Sequence, residues 1–148
     1  MKSLAARIAV QPFFQGMSRE HLRTLGDCAM ATHFNRDQIV FRENDIANRF
    51  YLIETGRVAL ESRTRAGKLV LVETVGPGDA LGWSWMFTPF CWHFGARALE
   101  ETTAIFFYGT RLRAISDEDH TFGYELVRRM AEVAVRRLES TRQRLLDA

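Results

Sequence analysis

The sequence predicts a mainly β domain held between N-terminal helices and one long C-terminal helix. Three patterns predict it. From Ala31 to Tyr108 short apolar runs are split by turn residues. Ahead of that stretch, apolar side chains recur at helical spacing. Behind it, a charged segment carries a single apolar stripe. A chain of 148 residues is one domain, able to bury about two-thirds of its unfolded surface. The expected organisation over 1–148 is N-terminal helices in 1–30, strands in 31–108 and C-terminal helices in 110–148.

Pro12 and Gly16 punctuate a short N-terminal helical piece. Ser18 is placed to cap a second one, with Glu20 in its first turn and Leu22, Leu25 and Cys28 along one face. Phe50 to Ile53 reads as a strand, and Glu54-Thr55-Gly56-Arg57 as a tight turn in which Gly56 takes positive φ. Val58 and Leu60 alternate with Ala59 and Glu61, as a half-buried strand requires. Arg63 to Lys68 is a basic, solvated hairpin loop, and Leu69 to Val75 is the returning strand. Ala96 to Leu99 and Thr103 to Tyr108 complete the sheets, Gly109 ends them, and Thr110 is placed to cap a short helix carrying Leu112 and Ile115. Asp117, Glu118 and Asp119 then cluster where the positive end of a final helix dipole would lie.

That helix, from about His120 to Leu146, has its stripe at Val127, Met130, Ala131, Ala134, Leu138, Thr141 and Leu145, close to a heptad seam. Most of its arginines fall off the stripe. A stripe of this length outruns one small barrel, so Val127, Met130, Ala134, Leu138, Thr141 and Leu145 are the candidate contacts of a homodimer.

Composition narrows the function. Hydrophobic residues make up 47% and charged residues 26%, with a net charge of +2, so no strong electrostatic pull toward nucleic acid or an anionic membrane follows. The cationic residues are nearly all arginine; Lys2 and Lys68 are the lysines. Cys28 and Cys91 stand apart, outside metal-type spacing, and read as reduced thiols. Arg7 interrupts any apolar signal core, and no run is long enough to span a bilayer. The expected location is the cytoplasm.

The densest chemistry lies in residues 76–97, between a Gly-Pro-Gly turn and a strand. All 3 tryptophans, Trp83, Trp85 and Trp92, fall there, interleaved with Phe87, Phe90 and Phe94. Each such ring buries a large area, and most proteins spread them through the core.

Taken in order, Pro12-Phe13-Phe14 with Leu22 and Leu25, Ile39 to Asp45, Phe50-Tyr-Leu-Ile-Glu-Thr-Gly56-Arg-Val, Gly76-Pro-Gly-Asp79, Leu81-Gly82 and Arg97-Ala98 resemble the cyclic nucleotide-binding domain of the CRP/FNR superfamily. The resemblance spans nearly the whole chain and implies a beta-roll, that is, a jelly-roll or double-stranded β-helix. It also implies a phosphate-binding cassette over 76–97. In that family the N–H groups at the start of a short helix hold the cyclic phosphate, a Glu accepts from the ribose 2′-hydroxyl, and an Arg neutralises the phosphate.

On this chain the Glu position is Trp83 and the Arg position falls near Trp92, so both charged contacts are missing. A charged hydrogen bond contributes about 1.5–3 kcal/mol, and losing two weakens binding by roughly two to four orders of magnitude. Weak or absent binding of cAMP and cGMP is therefore expected. Gly82 and the N–H groups of Ser84 and Trp85 remain able to hold an anion.

Two occupants of the cassette stay open. One is a flat or apolar ligand stacked between Trp83 and Trp92, with Ser84, His93 and Arg97 supplying polar contacts. In the other the rings fill the pocket themselves, and Arg97 faces solvent or pairs locally with Glu100 or Glu101. The first makes the domain a sensor acting through its last helix; the second makes it a ligand-independent interaction or scaffold module.

Other chemistries find little support. Cys91 and His93 are too few for a structural metal, no Cys-x-x-Cys-His occurs, and His21, His33 and His120 do not cluster, so neither metal nor cofactor is expected. Ser84 lacks a nucleophile-elbow context and no phosphate loop is present, which argues against an enzyme. The family's helix-turn-helix would begin about where this sequence ends. No DNA-reading element is expected within it, and a longer regulator containing it stays open.

Overall fold

The computed structural model describes residues 3–148, leaving Met1 and Lys2 of the 1–30 segment outside the described residues. Helix α1 (Leu4–Ala9) begins where Ser3 Oγ accepts from Ala6 N at 3.2 Å. A 3-10 turn follows at Pro12–Phe14, then α2 (Arg19–Asp27), capped by Ser18 Oγ accepting from His21 N at 3.2 Å. Eight strands come next: β1 (Ala29–Phe34), β2 (Ile39–Phe41), β3 (Arg49–Thr55), β4 (Val58–Arg63), β5 (Leu69–Val75), β6 (Ala80–Leu81), β7 (Gly95–Ala98) and β8 (Thr102–Tyr108). Helices α3 (Gly109–Glu118) and α4 (His120–Asp147) end the chain.

The strands form two antiparallel four-stranded sheets, in the orders β1-β8-β3-β6 and β2-β7-β4-β5, as in the beta-roll that the sequence motifs imply. Gly56 turns β3 into β4 at φ 96°, a conformation that costs glycine little. Strand β3 is buried at Phe50, Tyr51, Leu52 and Ile53 because both of its faces are covered. Phe50 stacks on Phe107 at 4.6 Å beneath the N-terminal helical segment, where Phe13 and Phe14 pack. Tyr51, on the opposite face, meets Phe34 and Phe41 inside the roll.

Most strand ends lie within one or two residues of the sequence expectation, β3 running Arg49–Thr55, β7 Gly95–Ala98 and β8 Thr102–Tyr108. β1 begins at Ala29, two residues before the expected change at Ala31. Thr110 does not cap α3: the helix starts one residue earlier, after Tyr108, with no side-chain cap bond. Trp85 Cβ lies 3.0 Å and Asn48 O 3.1 Å from where a Cβ on residue 109 would stand, so the small Gly109 suits the close packing at the start of the helix. Asp119 does cap α4, accepting from Phe122 N at 3.1 Å.

Helix α4 has 28 residues and is therefore about 42 Å long. Its first half lies on the roll, with Phe122, Leu126, Met130 and Val133 buried. Arg129 pins this half by donating to Phe13 O at 2.8 Å. Beyond Val133 no residue of α4 is fully buried, and Leu138 and Leu145 are 65% and 73% exposed. Among the described residues no helix is long and apolar enough to cross a membrane.

Candidate functional site

The chain passes from β6 into the aromatic segment through Gly82 at φ 94°. A Cβ at that position would stand 2.5 Å from the Trp92 ring, so glycine is required twice, for backbone conformation and for space. One 3-10 turn, Ser84–Met86, replaces the short helix of a phosphate cassette. Because the chain bends sharply there, neighbouring rings leave in different directions.

Trp85 goes to the helix side of sheet β1-β8-β3-β6, stacked on Phe50 at 5.3 Å and fully buried, with its Nε1 lacking an acceptor among the described residues. Trp92 goes into the roll, lying flat on Phe41 at 3.7 Å and 10°. Trp83 remains half-buried, stacked on His93 at 4.6 Å. Ser84 Oγ lies 2.9 Å from His93 Nδ1; the hydroxyl is enclosed while the imidazole residue stays exposed. A clamp between Trp83 and Trp92 is not formed, since Trp92 is buried on Phe41 inside the roll and does not line the cleft that Trp83 lines.

Arg97 is placed elsewhere. Alternation along β7 turns it away from Ala96 and Ala98, which are buried, and onto the outer face of the sheet. There Nε and Nη2 donate to Glu61 at 3.1 Å each, and Nη1 donates to Asp37 at 3.1 Å. These partners, not Glu100 or Glu101, hold its pKa above the ordinary arginine value, Glu61 contributing most. Arg97 therefore does not share a cavity with Trp83.

The opening beside Trp83 is a cleft of about 220 Å³ between the roll and α4. Leu60 and Val72 form its floor with Glu73 at one side; Trp83 and Phe94 supply the cassette wall; Ala134, Arg137, Leu138 and Thr141 supply the helix wall. The positions on α4 follow the i, i+3, i+4, i+7 pattern of one helix face. Arg137 is largely enclosed. Its Nη2 donates to Ala80 O, its Nε lies 3.6 Å from a Glu73 carboxylate oxygen, and its Nη1 is buried with no acceptor among the described residues. Burial pushes its pKa down, and the carboxylates of Glu73 and Asp79 pull it back up. A guanidinium remains cationic near neutral pH, and leaving one of its buried donors unmatched costs on the order of 1–3 kcal/mol.

Of the residues singled out from sequence, Trp83 alone lines this cleft from the cassette. Gly82, Ser84, Trp85, Trp92 and His93 build the turn around it, and Arg97 lies on the other face of the sheet. Sequence reasoning passed over Leu60, Val72, Phe94 and Arg137. Arg137 was legible as the charged member of the face formed by Ala134, Leu138 and Thr141. Of the proposed dimer contacts, Val127, Ala134, Leu138 and Leu145 are exposed and Thr141 is partly so. Met130 is buried against its own roll, 1% exposed, because its angle on the helix points it between Leu126 and Val133. Among the described residues no group of three or more His, Cys, Asp or Glu could hold a metal ion.

The model of the cyclic nucleotide-binding domain family matches residues 31–119, which covers the roll and α3. The chain belongs to that family. A CRP-like cAMP-activated global transcriptional regulator of Mycobacterium tuberculosis is 29% identical over 153 aligned residues, taking in 99% of this chain and 62% of the regulator. The chain thus spans less than two-thirds of that relative's length. A crystal structure from Geobacter metallireducens GS-15, provisionally named a cyclic nucleotide-binding protein, superposes with a TM-score of 0.83 at 26% identity, covering 93% of this chain and 99% of that one. A cyclic nucleotide-binding domain from Methylobacillus flagellatus KT shares the fold with a TM-score of 0.81 at 19% identity, over 97% of this chain and 80% of that one. This member of the cyclic nucleotide-binding family is a regulatory domain of the CRP/FNR type.

Proposed function

We propose that this domain is a non-catalytic, ligand-responsive regulator that acts from the cytoplasm as a homodimer, binds cAMP and cGMP weakly, and signals through α4. One observation carries the reading: the cleft is walled jointly by the cassette and by α4, so an occupant touches Trp83 and Leu138 together. A ligand preferring one placement of the helix shifts the population toward it. The seam formed by Val127, Ala134, Leu138, Thr141 and Leu145 continues past the roll, and pairing with a second α4 covers the apolar residues that the monomer leaves in water. Both cysteines are unpaired, which suits a reducing compartment. The Ser84–His93 pair serves position rather than catalysis, since the Ser84 hydroxyl is enclosed.

The burial of Trp85 and Trp92 favours a second reading, in which the filled cassette makes the domain a ligand-independent interaction module. Thermal unfolding with and without millimolar cAMP and cGMP tests the nucleotide part. A ligand at 100 times its dissociation constant adds about 2.7 kcal/mol, which at this size raises the midpoint by several degrees. A shift below a degree is expected; a shift of several degrees would show that the cassette works without its Glu and Arg. Sedimentation equilibrium tests the dimer, which a monomer at micromolar concentration would overturn.

A further inference from the structure

We infer that the open end of the roll around Arg49 is a docking surface for a protein partner, and that it takes a segment carrying one Asp or Glu between large apolar side chains. Sheet register builds the surface. Met30 of β1, Phe106 of β8 and Tyr51 of β3 stand in one cross-strand row, and Tyr108 stands opposite Arg49 in the next. Alternation puts all five on the face that Phe34 and Tyr51 turn into the roll. Met30 and Tyr108 are exposed whereas Tyr51 and Phe106 are buried, so this face runs out of the roll into water. Arg49 is held there without a carboxylate. Its guanidinium lies over the Phe106 ring at 4.2 Å and 5.7 Å from the Tyr108 ring, and it forms no ion pair among the described residues. Burial raises the Tyr51 phenol pKa and Arg49 opposes the rise, so the cation also lies beside that hydroxyl. Stacking on rings fixes a planar cation while leaving its N–H edges for a carboxylate.

Beside the cation is a cleft of about 240 Å³ that Arg49 shares with Arg42, Asp45 and Asn48, with Ile39 and Ile46 on its apolar side. That is below the roughly 300–1,000 Å³ of pockets for drug-sized ligands and suits a single side chain. Arg42 and Asp45 form no ion pair either, so the cleft sets two cations against one carboxylate and favours one added acid. Ile46 is 74% exposed and Ile39 is exposed beside it, while Met30 and Tyr108 extend the apolar margin onto β1 and β8. An Arg stacked on aromatic rings, with Tyr and Met at its side, has the composition that sets the centre of a protein interface apart from ordinary surface. This surface shares no residue with the cleft beside Trp83 and serves its partner whether or not that cleft is occupied.

Fluorescence anisotropy of the intact protein with labelled Gly/Ser peptides that carry Leu-Glu-Phe, Leu-Gln-Phe or Ser-Glu-Ser at their centre separates the acid from its apolar neighbours. The Leu-Glu-Phe peptide is expected to bind about ten- to a hundredfold more tightly than Leu-Gln-Phe, the range of one charge-assisted hydrogen bond. Ser-Glu-Ser should bind more weakly than Leu-Glu-Phe, because it leaves the isoleucines uncovered. Arg49→Gln should abolish the preference for Glu over Gln. Should that variant loosen the end of the roll, Ile46→Ser provides the second one: at so exposed a side chain it should keep the unfolding midpoint and weaken Leu-Glu-Phe and Leu-Gln-Phe alike. Equal binding of Glu and Gln peptides, a Glu preference that survives Arg49→Gln, binding untouched by Ile46→Ser, or no binding of Leu-Glu-Phe overturns the inference. A dimer that Ile46→Ser dissociates in sedimentation equilibrium would make a second copy of this chain the occupant, and overturns it too.

Discussion

Trp85 and Trp83 stand two residues apart in a single 3-10 bend, yet they belong to different parts of the molecule. Trp85 is fully buried against Phe50 and forms part of the core beneath the helices. Trp83 stays at the rim, stacked on His93 and facing α4 across a cleft. The same residue type thus serves the folding of the domain in one place and the wall of its candidate site in the other. A cluster of aromatic rings in a sequence is therefore not one feature. The bend decides which ring becomes core, and partial occupation of a pocket by its own side chains does not close the pocket.

The largest contrast is expected from truncating these rings. Trp85→Ala should cost about 3–5 kcal/mol in urea unfolding, because it empties a site that the surrounding rings cannot collapse into. Trp83→Ala should cost about 0.5–1.5 kcal/mol, the magnitude of a single exposed-edge aromatic pair. Comparable losses for the two would erase the distinction between core and rim.

The two halves of α4 repeat the contrast. Met130→Ala should destabilise the protein by about 2–5 kcal/mol whatever its concentration, since the side chain packs on its own roll. Leu138→Ala should change folding of the single chain by no more than about 0.5 kcal/mol while weakening self-association, as read by sedimentation. If Leu138→Ala leaves the association constant unchanged, the exposed stripe is not the seam.

The smallest effect concerns the two thiols. Cys28, at the C-terminal cap of α2, has its pKa raised chiefly by burial, and Tyr51 has its phenol raised for the same reason. A folded pKa above the unfolded value means that the native state holds the proton longer. The associated stability is fully present below the ordinary thiol value of about 8.5 and is lost as pH rises through the folded values. Unfolding midpoints should therefore fall above about pH 8.5, and a thiol reagent at pH 8 should modify half-buried Cys91 well before Cys28. Equal rates for the two would show that the environment of Cys28 opens readily.

Much of the fold was legible because it rests on local chemistry. Ser18 caps α2 from the position its side chain predicts, the acidic cluster of Asp117, Glu118 and Asp119 does precede α4, and Gly56 takes its turn where a left-handed residue is needed. The stripe on α4 follows from the 3.6-residue period, whereas the alternation expected over Val58–Leu60 is not seen in burial, because Ala59 is covered as fully as its neighbours. The site was less legible. The sequence leaves Arg97 either on a ligand or on the outer face of its strand; the structure turns it outward, and its partner there is Glu61, 36 residues away, rather than the neighbouring Glu100 or Glu101. Thr110 has a side chain suited to capping, but α3 already starts at Gly109 with no side-chain cap bond.

What the sequence by itself determined, then, is the order and type of the elements and the family, because propensity, periodicity and residue identity at a motif are properties of neighbouring residues. Tertiary structure alone decided that Trp85 and Trp92 are core while Trp83 is wall, that Arg97 turns outward, and that Arg137 closes the cleft with one donor unmatched. Those outcomes depend on which distant surfaces meet when two sheets and a helix pack together. No local rule specifies that meeting, because the free energy of a buried ring or a buried charge is set by the partners around it.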